Sequence, residues 1–444
     1  MRETRATQAS LFDCYSQHKL GQELEAISMV LDNNLDLLAA VHNDLVSKET
    51  KAVGRRGLSA ESVLRCIILK QRLKVSYEML AFHLSDSASA RAFARLGGNV
   101  IPKKSCLQAS MRRVQASTLQ CLNEQILIRS ADNNLLSFEK IRVDSTVVLS
   151  NIVDPSDSQL LNDSIRVICR SLAKCHNQTG FNAIFQDQRK AAKSLAFRIF
   201  NAKKAEKDRL YPELLDIMAS VLKQADCTLQ QVKLLSDTAR SKQWITQMKH
   251  FYQLACKVVD QTQRRVINGE SVPSSQKIVS IFEEHTDIIV KGKRDVLFGH
   301  KINLSSQSNG FITHLTIEKG NTSDKNMHTP VIAYHQSTFG QTPKSMVTDG
   351  CYATQENARV AKEMGVSQVV FSKPVGLSLH DMGVKNKTFI DLKKFRAGVE
   401  ANISEFKRAY AAGKATWKNL GGFQAYVWSS VLSYNLFKLV RLTM

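Results

Sequence analysis

The sequence predicts an α/β protein: a mixed sheet flanked by helices, interrupted by an all-helical segment and preceded by an all-helical region. Three observations carry this. A β-branched run, Ile141-Arg142-Val143-Asp144-Ser145-Thr146-Val147-Val148, stands between two stretches of helical period. From about 156 to 275 the chain keeps that helical period and has few strand signals. Strand chemistry returns near His300 and then alternates with helical patterns to about Tyr410.

The first element group spans residues 1–135. Leu24, Ile27 and Leu31 mark one short amphipathic helix, and Leu35, Leu38, Val41 and Leu45 another. After Arg55-Arg56-Gly57-Leu58, Ser59 is placed to cap a helix carrying Val63, Leu64, Ile67 and Ile68. A further helix starts near Ser76, and Asp86 or Ser87 opens the next. Pro102-Lys103-Lys104-Ser105 begins one more, which ends in Arg112-Arg113. Short helices with basic ends are what a helix-turn-helix-like DNA-binding region looks like, so Lys103, Lys104, Arg112 and Arg113 are candidate DNA contacts.

The segment 156–284 reads as an inserted helical domain. Leu160, Leu161, Ile165, Ile168 and Leu172 form one apolar stripe, and Leu214, Leu215, Met218 and Leu222 another. Between 161 and 270 there are 19 Lys or Arg against 10 Asp or Glu, which gives the insertion a basic surface. Trp244, its only tryptophan, lies between Lys242 and Lys249. Two readings of it stay open: a ring packed in the core, or a ring that stacks on a DNA base.

Residues 136–155 and 285–444 supply the sheet. His300–Leu304 and Gly310–Ile317 read as a hairpin, and Asp324 as an N-cap or first-turn acid of a helix to about His335. A strand Ser345–Asp349 broken by Gly350, a helix Gln355–Met364, a strand Gln368–Phe371 and a long helix follow. With the insertion lifted out, strand, strand, strand, helix, strand, helix, strand, helix is the ribonuclease-H topology, in which the first and fourth strands are neighbours.

That topology gives three acids a common address. Asp144 lies in or at the end of the first strand, and Asp349 ends the fourth, at the sheet edge where open α/β sheets place their ligands. In the long helix, Leu392, Phe395, Val399, Ile403, Phe406 and Tyr410 recur at steps of three and four and face a core. At about 100° per residue, Glu400 lies roughly 40° from Arg396, and Lys407 roughly 20° from Glu400, all at the edge of that face. An isolated helix with this pattern would be a salt-bridged surface helix; the upstream aspartates point instead to a third carboxylate. Glu405 falls roughly 140° from Glu400, and reads as solvated. Three carboxylates at one edge suit Mg²⁺, a hard cation that shares its coordination with water and phosphate oxygens. Two such ions, for which Mn²⁺ would substitute, support in-line displacement at phosphorus.

Composition agrees. A formal charge of +21 over 444 residues points to a polyanionic partner, DNA or RNA. Nine scattered cysteines without a CxxC pair predict reduced thiols in a cytoplasmic protein. No run approaches the length of a membrane span.

The motifs in this order resemble the DDE transposases of bacterial insertion sequences, in the branch related to insertion-sequence family five and the groups not classified yet. The resemblance rests on Val143-Asp144-Ser145-Thr146, Pro155-Ser156-Asp157 with Leu160-Leu161, and Phe298-Gly299-His300-Lys301. It continues through Gly320-Asn321 with Asp324, Thr348-Asp349-Gly350-Cys351-Tyr352, and Arg396-x3-Glu400-x6-Lys407. It implies that Asp144, Asp349 and Glu400 hold the metal ions, with Arg396 and Lys407 near the DNA backbone. Where the family often has tyrosine this chain has Lys393, a candidate phosphate contact. The implied activity is Mg²⁺-dependent cleavage of double-stranded DNA at the element's ends and 3′-hydroxyl transfer into target DNA, by a dimer or higher oligomer. Asn321 and Asp324 are adequately explained as caps and are left out of the site. Two other readings are a ribonuclease-H-fold nuclease without strand transfer and a non-catalytic, transposase-derived regulator.

Overall fold

The computed structural model describes residues 4, 15–46, 57–97, 101–235, 237–291, 295–373 and 375–444. Cys14 and the pair Arg55-Arg56 lie outside the described residues. The chain divides into two compact units, residues 1–151 with 299–444, and residues 152–298.

Among the described residues there are six strands: β1 Lys140–Leu149, β2 Asp287–Lys291, β3 Asp295–Ser306, β4 Ile312–Ile317, β5 Ser345–Thr348 and β6 Gln368–Phe371. In the first unit they lie in the order β4, β3, β1, β5, β6, and β2 pairs with β3. β1 runs antiparallel to β3 and parallel to β5, with β4 antiparallel to β3 and β6 parallel to β5. The first and fourth predicted strands, β1 and β5, are neighbours as the ribonuclease-H topology requires, and β2 is a further strand that the sequence does not predict.

Because side chains alternate along a strand, β1 feeds two cores. Ile141 and Val143 join Met346, Val369 and the helix His328–Phe339, through Val331 and Ile332. Val148 on the other face joins Ile302, Leu304, Val399 and Phe406. That second core is continuous with the N-terminal helices, through Ile67, Leu84, Leu119 and Leu127.

The N-terminal helices therefore share one compact unit with the sheet. The reason is the final helix, Leu420–Thr443, which packs on the helices Ala60–Leu73 and Ala116–Asp132. It is buried along most of its length, including Phe423, Val431, Leu436 and Phe437, each contributing on the order of 1.5–3 kcal/mol. Asn435 joins the layers: its side chain accepts from the Ile312 N–H and donates to the Ile312 carbonyl and to Asn123. Apolar nearly all round, this helix has no polar face for periodicity to contrast. Ser59, Ser76 and Ser87 cap helices as predicted, each accepting a backbone N–H three residues on.

The second unit is a helical bundle built on Asp157–Ala173, Arg189–Asn201, Lys204–Leu235 and Ala239–Thr262. Its core joins Leu161, Ile165, Leu214, Met218, Trp244 and Val258. Ser156 caps the first of these helices, accepting from the Gln159 N–H at 3.2 Å. Buried Asp157 accepts from Gln261 at 2.9 Å and pairs with Arg265 at 2.9 Å, so the Ser156-Asp157 motif starts and anchors the bundle.

Candidate active site

Strand register brings the two aspartates together. Arg142 of β1 stands beside Val347 of β5, and Asp144 and Asp349 each lie two residues further on. In parallel neighbours an equal step returns both side chains to one face, the face covered by the helix Asn386–Ala409. The predicted stripe of that helix faces the core: Leu392, Val399, Phe406 and the residue after its end, Tyr410, are buried, and Phe395 and Ile403 half-buried.

The helix places Arg396 among the acids. One guanidinium nitrogen lies 3.0 Å from Asp144 Oδ2 and 3.7 Å from Asp349 Oδ1, and the other lies 3.6 Å from Glu400 Oε1. Three residues far apart in sequence thus share one cation. The side chains of Asp144 and Arg396 are 18% and 15% exposed, Asp349 34% and Glu400 73%. Among the described residues no three His, Cys, Asp or Glu side chains stand close enough to hold a metal ion in this arrangement. The i, i+4 ion pair of Arg396 with Glu400 is present, and Arg396 also reaches the two aspartates.

The two aspartates differ electrostatically. Burial pushes the Asp144 carboxyl up, and the charges of Asp349 and Asp324 add to this, against the pull of Arg396 and the Ser145 N–H. That N–H donates to Asp144 Oδ1 at 2.8 Å. Burial also pushes Asp349 up, but the Ser372 hydroxyl, the Gly350 N–H, Arg396 and Lys373 outweigh it and hold the carboxyl below its ordinary value. Ser372 Oγ donates to Asp349 Oδ1 at 2.8 Å.

Several neighbours escape a reading of sequence alone. Arg142 is buried, donates to the Phe395 carbonyl at 2.8 Å and to Ser306 Oγ at 3.1 Å, and lies over the Phe395 ring. It ties the turn before Arg396 to β1, two residues from Asp144. Gly398 makes room for it: a Cβ there would stand 2.1 Å from Arg142 Nη1. Asp324 is more than a cap. Ser323 holds the cap position, while Asp324 pairs with Lys301 at 2.9 Å, near enough for its charge to raise Asp144. The ion pair joins two of the sequence motifs, Gly299-His300-Lys301 and Asn321 with Asp324.

The other predicted residues are spread along the chain. Lys393 is exposed and Lys407 half-buried on the Glu400 helix. Glu405 is not solvated: it pairs with Lys438 at 2.7 Å and Arg441 at 3.1 Å on the final helix. Lys103, Lys104, Arg112 and Arg113 are exposed. Lys104 pairs with Glu78 at 3.2 Å, and Arg112 and Arg113 donate to the carbonyls of Lys418 and Leu45. In the second unit Trp244 corrects the stacking reading. Its ring is 1% exposed in the bundle core and its indole N–H donates to the Ser171 carbonyl at 3.1 Å, so it presents no face to a base. Among the described residues no helix is long and apolar enough to cross a membrane.

No curated protein and no solved structure matches the chain. Residues 291–436, about a third of the sequence, match the family model described as transposase DDE domain. The matched segment contains Asp349, Arg396 and Glu400, and Asp144 lies upstream of it. The match implies a ribonuclease-H-like core, in keeping with the strand order, and supports a DDE transposase acting on DNA.

Proposed function

We propose that the protein is the transposase of an insertion sequence: it binds the inverted repeats at the ends of its element, cleaves them, and transfers the exposed 3′-hydroxyls into target DNA. The observation that carries this is the convergence of Asp144, Asp349 and Glu400 on Arg396.

The donor set fits a divalent metal in its chemistry. All three acids offer hard carboxylate oxygens, and together they already gather round a positive charge. Asp144, Asp349 and Glu400 would hold Mg²⁺, with Mn²⁺ as a substitute. Metal bound there supplies the charge that activates a water or 3′-hydroxyl and stabilises the leaving oxygen. The protein's own residues prepare this. Ser145 and Ser372 orient the two aspartates, and Arg142 fixes the helix turn that carries Arg396. Arg396 keeps the acids together, and its guanidinium would also serve a backbone phosphate of bound DNA. Lys393 and Lys407, on the same helix, extend that phosphate contact, and Lys103, Lys104, Arg112 and Arg113 contribute to binding the ends. Handling two ends requires at least a dimer on DNA, and binding weakens steeply with salt.

The test is joining. Incubated with Mg²⁺, pre-cleaved end fragments taken from the DNA flanking the gene, and a target plasmid, the protein should yield covalently joined products. Hydrolysed ends without joined products would instead identify a nuclease of the same fold.

A further inference from the structure

We propose that the second unit carries its own binding groove for a single strand of DNA, separate from the carboxylate cluster and centred on Phe197 and Phe200. That its polyanion is DNA rests on the transposase reading; the groove itself rests on the following geometry.

A cavity of about 640 Å³ lies between the helices Asp157–Ala173 and Arg189–Asn201. On the first helix Asn162, Arg166 and Arg170 recur at steps of four and line it. On the second, Lys190, Lys193, Phe197 and Phe200 recur at steps of three, four and three. This stripe is distinct from the one the second helix buries, Ala192, Leu195, Ala196 and Ile199. Each helix therefore has a core face and a groove face.

The groove face is unusual in what it exposes. Phe197 and Phe200 are 70% and 74% exposed. Two large rings one turn apart, left in water, cost apolar burial that the same helix obtains elsewhere. Beside them are five cations. Arg166 pairs with Asp163, and Arg189 with Asp187, whereas Arg170, Lys190 and Lys193 form no ion pair among the described residues. Excess positive charge next to open aromatic faces matches a strand whose phosphates are anionic and whose unpaired bases offer π-faces. A duplex hides those faces in its stack. The volume lies within the range of small-ligand sites, about 300–1,000 Å³, which suits one or two nucleotides.

The experiment uses the full chain in EDTA, so that no cleavage occurs, with fluorescence anisotropy on a labelled oligothymidylate and on an abasic strand of the same length. The wild type should prefer the base-bearing strand. Phe197→Ala with Phe200→Ala should weaken oligothymidylate binding by about tenfold or more and leave abasic binding unchanged. Phe197→Leu with Phe200→Leu, which keeps apolar bulk, should behave like the alanine pair. Lys190→Ala with Lys193→Ala should weaken both strands and reduce the salt slope by about 0.7 per lost phosphate contact. Equal binding of the two strands by the wild type, or oligothymidylate affinity unchanged in both phenylalanine pairs, overturns the proposal. Joining activity does not enter these readouts, so a chain that fails to join DNA can still bear out the groove, and the reverse.

Discussion

In the first unit the guanidinium of Arg396 lies among three carboxylates over a sheet edge, whereas in the second Arg170, Lys190 and Lys193 stand beside two exposed rings with few acids near them. The first cluster is assembled by long-range register and held by buried partners such as Arg142. The second is assembled locally, from two helices that each carry a second stripe. The first gathers acids round one cation, and the second carries an excess of cations. The two units also treat buried polarity differently. Among the described residues the first buries four imidazoles, His300, His314, His328 and His335, and the second buries its one tryptophan and ties the indole N–H to a carbonyl.

Acid should separate the units most strongly. Burial lowers His314 to about 3, and His328 and His335 to about 4, and all three lie in the first unit. Each ring stays neutral in the fold but takes a proton when unfolded below its ordinary value near 6.5. Their contribution is therefore complete above about pH 6.5 and is lost as pH falls toward 4, on the order of 3 kcal/mol each for His328 and His335. Tryptophan fluorescence can read this, because Trp417 and Trp428 report on the first unit and Trp244 on the second. In single-tryptophan variants the first unit should unfold at a higher pH than the second. Loss of the Trp244 signal first would reverse the comparison.

Truncating the core ring of the second unit should come next. Trp244→Ala leaves a large cavity and removes one of the two N–H groups from which the Ser171 carbonyl accepts, and is expected to cost about 3–5 kcal/mol in urea unfolding. Oligonucleotide affinity of the folded fraction should be unchanged. A normal midpoint with weakened DNA binding would restore the stacking role.

The smallest effect is expected at Gly398. An alanine there meets the Arg142 guanidinium, with a cost of about 1–3 kcal/mol and a shift of the helix turn that carries Arg396. Slower joining at nearly full folding is the predicted outcome; wild-type joining would show that Arg142 does not position the site.

Much of this was legible in the sequence, for identifiable reasons. Asp144 stood out because acids are rare in β-branched runs, and Asp349 because it closed the strand that topology makes a neighbour of the first. The stripe Leu392, Val399, Phe406 fixed which face of its helix points inward, and with it the position of Glu400. What was not legible depended on contacts far along the chain. Glu405 looked solvated because its partners, Lys438 and Arg441, sit on a helix with no polar face to reveal it. Arg142 passed as one residue of a strand, and Ser372 and Lys373 lie on a loop that only the fold brings to Asp349. Trp244 is rare and has basic neighbours, but Ser241, Trp244 and Met248 form the buried stripe of its helix, which decides between its two readings. Phe197 and Phe200 fall off the stripe that their helix buries, a pattern visible in the periodicity of 189–201.

The most direct test of the central claim, that Asp144, Asp349 and Glu400 form one catalytic centre, is Mg²⁺-dependent cleavage of a DNA fragment carrying the element's end. Asp144→Asn, Asp349→Asn and Glu400→Gln should be compared with wild type after each is shown to fold. Each substitution is predicted to reduce the cleavage rate by about a thousandfold or more, equivalent to roughly 4 kcal/mol of transition-state stabilisation. Wild-type cleavage by any one of the three would contradict the assignment.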